Sequence, residues 1–178
     1  SKQTTAVQKD LALTSEEANA MNLRLQSVAM NARNGVVNIN DMRGALLNVN
    51  EQLGIATSAI RDDIVEEMAI LAKTTNLSAE AQGNFAKDAI LSGKNAHEIT
   101  KAARATVEAQ VKQGKLGLNV NKILDEAGQI TGVMAANFGF SIERMAKALT
   151  LSKQLGISLE QTKGIQSGML DFQTSIEN

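Results

Sequence analysis

The chain has 178 residues and a formal charge of −1 from 18 basic and 19 acidic side chains, a balance that argues against a nucleic-acid binder driven by phosphate neutralisation. It has no Cys, which excludes disulfides and thiolate zinc sites, and it has no Pro, Trp or Tyr. With 2% aromatics, its core must be built from Leu, Ile, Val, Met and Ala, in helices.

No apolar run approaches the roughly 18 residues of a membrane span, and no signal peptide is expected. The chain starts without Met and stops inside a helical pattern, so we expect a piece of a longer protein.

Residues 1–10 are polar and expected to be frayed or extended. Thr14-Ser15-Glu16-Glu17 is a capping box. Ala18, Met21, Leu25 and Val28 follow at 3-4-3 spacing, a narrow seam of coiled-coil type. Asn34-Gly35 is a turn signal, and Val36-Val37-Asn38-Ile39 reads as a short connector with extended character.

Asn40 or Asp41 is expected to start the next helix, with Met42, Leu46, Val49 and Leu53 on one side and Gly54 ending or bending it. Thr57 or Ser58 is expected to cap a third helix, whose apolar positions Ile60, Ile64, Met68 and Leu71 oppose a solvated face of Arg61, Asp62, Glu66, Glu67 and Lys73.

From Asn76 onward the expected helices lie near 79–91, 96–113, 120–132, 142–154 and 159–175, with Ile130 to Phe138 ambiguous because Gly128 and Gly132 bend easily. They are separated by one recurrent unit. Gly139-Phe140-Ser141-Ile142-Glu143 recurs seventeen residues on as Gly156-Ile157-Ser158-Leu159-Glu160.

In that unit the glycine stops a helix, the hydroxyl caps the next one, and the acid suits the positive end of the helix dipole. Looser copies are Asn76-Leu77-Ser78, Gly93-Lys94-Asn95 with Glu98 completing a box, and Gly117-Leu118-Asn119. The caps Ser78, Asn95, Asn119, Ser141 and Ser158 are 17, 24, 22 and 17 residues apart. The 17-residue step recurs at an offset of 63, which leaves a diverged duplication open.

The expected fold class is therefore all-α. Residues 1–75 form longer, amphipathic, coiled-coil-like, self-associating helices. Residues 76–178 form a bundle of short helices joined by Gly-x-Ser or Gly-x-Asn turns.

Catalytic chemistry finds little support. His97 is the only histidine, reads as an exposed helix-start residue, and lacks a second His or any Cys with which to hold a metal. Asp62-Asp63 and Glu66-Glu67 are spaced to share a cation but fall on the solvated face. There is no Gly-x-Ser-x-Gly elbow, no Gly-Lys-Ser/Thr and no Gly-x-Gly-x-x-Gly. No enzyme activity and no cofactor are expected.

Leu151 to Ser158 is similar to the turn of a DNA-binding helix-turn-helix. The helix that would read DNA starts at Leu159 and carries Glu160 and Gln161, with Lys163 as its basic residue, and the same turn chemistry recurs elsewhere. The methionines fall mostly on apolar stripes, where they serve as adaptable packing or as an interface that repacks between copies.

Three stretches resemble the tail tape measure proteins of tailed bacteriophages: Leu71 to Ser78, Val133 to Ser141, and above all Leu155 to Thr162 leading to Met169 to Glu177. The likeness spans about residues 60–178. It implies a structural virion protein lying in the tail lumen or at the tail tip, made in the host cytoplasm. Such a protein sets tail length during assembly and is released at genome ejection.

The implied partners are the chain itself as a homo-oligomer such as a trimer, tail tube and tail-tip or baseplate proteins, and, late in infection, the host envelope. No specific nucleic-acid recognition is implied. With a stop every 17–24 residues, the segment suits a compact or folded-back terminal piece better than a continuous ruler. Another virion-internal ejected protein and a helical adaptor or filament protein of a cell are the alternative readings.

On these expectations Ala18, Met21, Leu25, Val28, Ile60, Ile64, Met68 and Leu71 form packing or oligomer seams. Ser78, Gly93, Asn95, Gly139, Ser141, Gly156 and Ser158 set the turns.

Overall fold

A computed structural model describes residues 13–33, 35–114 and 117–165. These residues are helical, and among them there is no strand. In chain order the helices are α1 (Ser15–Met30), α2 (Ile39–Leu53), a 3₁₀ turn (Thr57–Ala59), α3 (Asp62–Thr74), α4 (Ala79–Ser92), α5 (Ala96–Gly114), α6 (Val120–Gly128), α7 (Gly132–Asn137) and α8 (Ile142–Leu155). A ninth helix, α9, is described over 159–165. The expectations for residues 1–10 and for the end of the last helix lie outside the described residues.

The chain divides into two compact units between His97 and Glu98, in the first turn of α5. In the first unit α2 is central and packs against α1, α3 and α4. Helices from both sides of residue 75 thus share one core, which holds Leu25, Met42, Leu46, Ile60, Ile64, Met68 and Phe85 as fully buried side chains.

In the second unit α6 lies against α8 and buries Ile123, Leu124, Ile142 and Met145 together with Phe138. Helix length does not fall along the chain: α5, with 19 residues, is the longest described element, because no glycine interrupts Ala96 to Gln113.

Local chemistry sets the boundaries. Thr14 accepts from the Glu17 N–H while the Glu17 carboxylate accepts from the Thr14 N–H, closing the capping box on α1. The start of α2 corrects the sequence reading. Its cap is Asn38, whose Oδ1 accepts from the Asp41 N–H at 3.0 Å, and Asp41 Oδ2 accepts from the Asn38 N–H at 2.8 Å. Ile39 is accordingly helical rather than part of a connector, and Asp41 is the third residue of the helix rather than its cap.

Gly54 ends α2 in the left-handed region at φ 63°. The start of the next helix is also corrected. Thr57–Ala59 closes as a 3₁₀ turn, Ile60 is extended, and α3 begins at Asp62 after Arg61. Arg24 from α1 explains this kink. Its guanidinium takes the Thr57 carbonyl at 3.0 Å, the Ile60 carbonyl, and Asp62 Oδ1 at 2.7 Å, while the Thr57 carbonyl also accepts the Ile60 N–H that closes the 3₁₀ turn. Ile60 stays in the core although it lies outside the helix.

α3 ends without glycine. Asn76 takes the left-handed conformation at φ 56°, and the Leu77 N–H reaches back to the Leu71 carbonyl at 3.3 Å. The expected helix over 120–132 stops at Gly128, and the ambiguous stretch after it holds the short α7, which starts at Gly132 with φ 66°.

Candidate functional site

A polar cluster is built on one face of α3. Arg61 precedes the helix, and its guanidinium grips Asp63 with two nitrogens at 2.9 and 3.1 Å. Its other contacts are the Ala89 carbonyl at 3.2 Å, near the end of α4, and the Lys94 carbonyl at 2.7 Å. Asp63 Oδ2 also accepts from the Ala96 N–H at 2.8 Å, so the α4–α5 turn is held to α3 by both members of this ion pair.

Burial pushes the Asp63 carboxyl up. The Arg61 guanidinium and the Ala96 N–H more than offset that effect and hold it below the ordinary carboxylate range.

One turn further on, Glu67 is buried, which overturns its expected place on a solvated face. Its Oε2 accepts from Arg33 Nη2 at 3.1 Å and from His97 Nδ1 at 3.0 Å. Glu66 accepts the Arg33 backbone N–H. His97 is therefore half-buried and paired rather than simply exposed.

The cluster draws on the α1–α2 connection, α3 and the first turn of α5. Its carboxylates bind chain segments through the Arg61 and Arg33 guanidinium groups, the His97 imidazole and the Arg33 and Ala96 backbone N–H groups. No group of three or more His, Cys, Asp or Glu side chains is placed to hold a metal ion among the described residues.

A second feature of the first unit is a cleft of about 330 Å³ between α2, α3 and the start of α4, bordered by Asp41, Gly44, Asn48, Ala72, Lys73 and Gln82. Lys73 Nζ donates to Asp41 at 2.9 Å, and Asn48 Nδ2 donates to the Ala79 carbonyl at 3.0 Å and to Gln82 Oε1 at 3.3 Å. The Lys73 contact and the Asn38 N–H hold the Asp41 carboxyl below its ordinary range.

All eight seam residues, Ala18, Met21, Leu25, Val28, Ile60, Ile64, Met68 and Leu71, are buried within the single chain. The α1 seam faces α2 and α3. Association through these positions would first have to part those helices. Large apolar side chains left exposed include Leu23, Met30 and Leu91 in the first unit and Val133 and Leu155 in the second.

The turn residues are distributed along the chain and do not gather into one place. Ser78 accepts from the Ala81 N–H at 3.3 Å, Asn119 from Lys122 at 3.1 Å, Ser141 from Arg144 at 3.2 Å and Ser158 from Gln161 at 3.2 Å. Gln161 returns the bond by accepting from the Ser158 N–H at 2.9 Å. Asn95 accepts from the His97 N–H at 2.9 Å. Gly93, Gly139 and Gly156 have φ of 72°, 63° and 66°.

The two fullest copies of the repeated unit also differ in their backbone. Phe140 as well as Gly139 has positive φ, whereas only the glycine does in the Gly156 copy.

The cluster around Glu67 was missed because its partners lie 30 and 34 residues away in sequence. A usable signal did exist: Glu67 stands three residues after Ile64 and one before Met68, at the edge of the apolar stripe. Comparison of the chain with protein-family models, with curated proteins and with solved structures gives no match.

Proposed function

We propose that this chain is a structural, non-enzymatic segment of a bacteriophage tail tape measure protein, housed in the tail lumen or at the tail tip and leaving with the genome. One observation carries the reading: the three stretches that resemble that family coincide with helix junctions. Leu71 to Ser78 is the end of α3, the Asn76 stop and the Ser78 cap. Val133 to Ser141 contains α7, the Gly139 turn and the Ser141 cap. Leu155 to Thr162 is the end of α8, the Gly156 stop and the cap of α9. The resemblance thus rests on residues with a physical job in this chain.

Within the first unit the helices pack side by side around α2. Residue count there does not convert into length at about 1.5 Å per residue, as it does in an extended rod. The segment accordingly serves as a docked piece that seats the tape against tail-tip proteins and other copies, and the ruler lies elsewhere in the parent chain.

An in-frame deletion of residues 62–165 in the parent gene tests this, with tails viewed by electron microscopy. Malformed or missing tails, without proportional shortening, are expected. Normal tails on infectious particles would overturn the proposal.

A further inference from the structure

Glu67 is a buried acidic residue held by two side chains from separate segments. Arg33 comes from the connection before α2, and His97 from the first turn of α5. Both meet the same oxygen, Oε2, at 3.1 and 3.0 Å. The donors are each 39% exposed, whereas the carboxylate is 3% exposed. Either donor can exchange its bond for water, and the carboxylate cannot.

A buried charge that loses every partner is strongly destabilising, because its desolvation is then uncompensated. A buried charge that keeps one good partner is tolerated. The neighbouring acids do not relieve this constraint. Asp63 is committed to Arg61 and to the Ala96 N–H, and Glu66 holds the Arg33 backbone rather than its guanidinium.

We propose that Glu67 is an either-or latch: the Arg33 guanidinium or the His97 ring can release it one at a time, and the buried carboxylate forbids both from releasing together. Each release leaves the carboxylate held by the remaining donor, while Glu66 keeps the Arg33 N–H and Asp63 keeps the Ala96 N–H.

A double-mutant cycle in the whole chain tests the latch, read by hydrogen exchange of the α3 amides from Val65 to Ile70. Arg33→Ala and His97→Ala should each raise the opening constant by less than about tenfold. Together they should raise it by about tenfold or more beyond the product of the single effects. In a Glu67→Gln background, which keeps the shape and removes the charge, that excess should vanish.

Multiplicative behaviour of the two substitutions would overturn the latch, and so would an excess that persists with Gln at position 67. If the double variant does not fold, adding Glu67→Gln should restore helical circular dichroism, and failure to restore it would equally overturn the latch.

Discussion

Two glycines in helix interiors of the same unit should respond to alanine in opposite directions. Gly83 lies in α4 where that helix crosses α2. A Cβ added there would sit 2.7 Å from Gln52 Cβ and 3.1 Å from Gln52 Cγ. Ordinary carbon–carbon contact is about 3.5–4.0 Å, so the shortfall is roughly an ångström. The obstructing atom is a Cβ fixed to the α2 backbone, so a rotamer change does not clear it and the two helices must part.

Overpacking of this kind costs about 1–3 kcal/mol, while exchanging Gly for Ala in a helix returns about 1 kcal/mol. We expect Gly83→Ala to destabilise by roughly 1–2 kcal/mol, the upper part of the overpacking range less that return. Gly44 lies within α2 and a Cβ there would meet nothing within 4 Å. Gly44→Ala should therefore stabilise by about 0.5–1 kcal/mol.

The chain has no Trp or Tyr, so urea unfolding followed by far-ultraviolet circular dichroism is the suitable assay. Equal stabilisation by both substitutions would refute the close α2–α4 crossing.

Three further outcomes follow from the turns and charges. Gly156→Val should cost about 1–2 kcal/mol in the same assay, because φ of 66° places a β-branched side chain against the following carbonyl; a neutral result would remove the left-handed stop. Ser141→Ala and Ser158→Ala should each cost about 1 kcal/mol, as lost helix caps do, and Ser158→Ala should also free the Gln161 N–H, seen as faster amide exchange at Gln161.

The folded-state pKa of Asp63 is depressed, so its contribution to stability is fully present above the ordinary carboxylate range and is lost as pH falls below about 4. Asp63→Asn should flatten that acid loss between pH 5 and 2. An unchanged acid profile would show that the Arg61 and Ala96 contacts do not set the shift.

Helical class was legible because Ala, Leu, Ile and Met recur at helical spacing and no segment alternates. Turns were legible where a glycine or a hydroxyl carries out one local task, as at Gly93, Ser141 and Gly156. Two boundaries slipped because a competing local signal prevailed. Asn38 with Asp41 three residues on was a readable box, but the valines before it suggested a strand-like connector. Thr57 looked like a cap, and Arg24, 33 residues away, instead draws its carbonyl into a 3₁₀ turn.

The buried Glu67 cluster depends wholly on tertiary neighbours. Periodicity places Glu67 only at a border, and which side of that border it takes is decided by Arg33 and His97. The seam of α1 was visible as a stripe, but spacing alone does not distinguish a partner helix in the same chain from one in another copy, and here α2 and α3 cover it.

Quantitative mass spectrometry of tails and heads purified from particles carrying the parent gene tests the tape measure assignment most directly. The assignment predicts peptides from Thr14 to Ile165 in the tail fraction at a fixed, small copy number per particle, and their loss from tails after genome release. Absence of these peptides from purified tails, or their recovery only among non-virion proteins of the host cell, would contradict it.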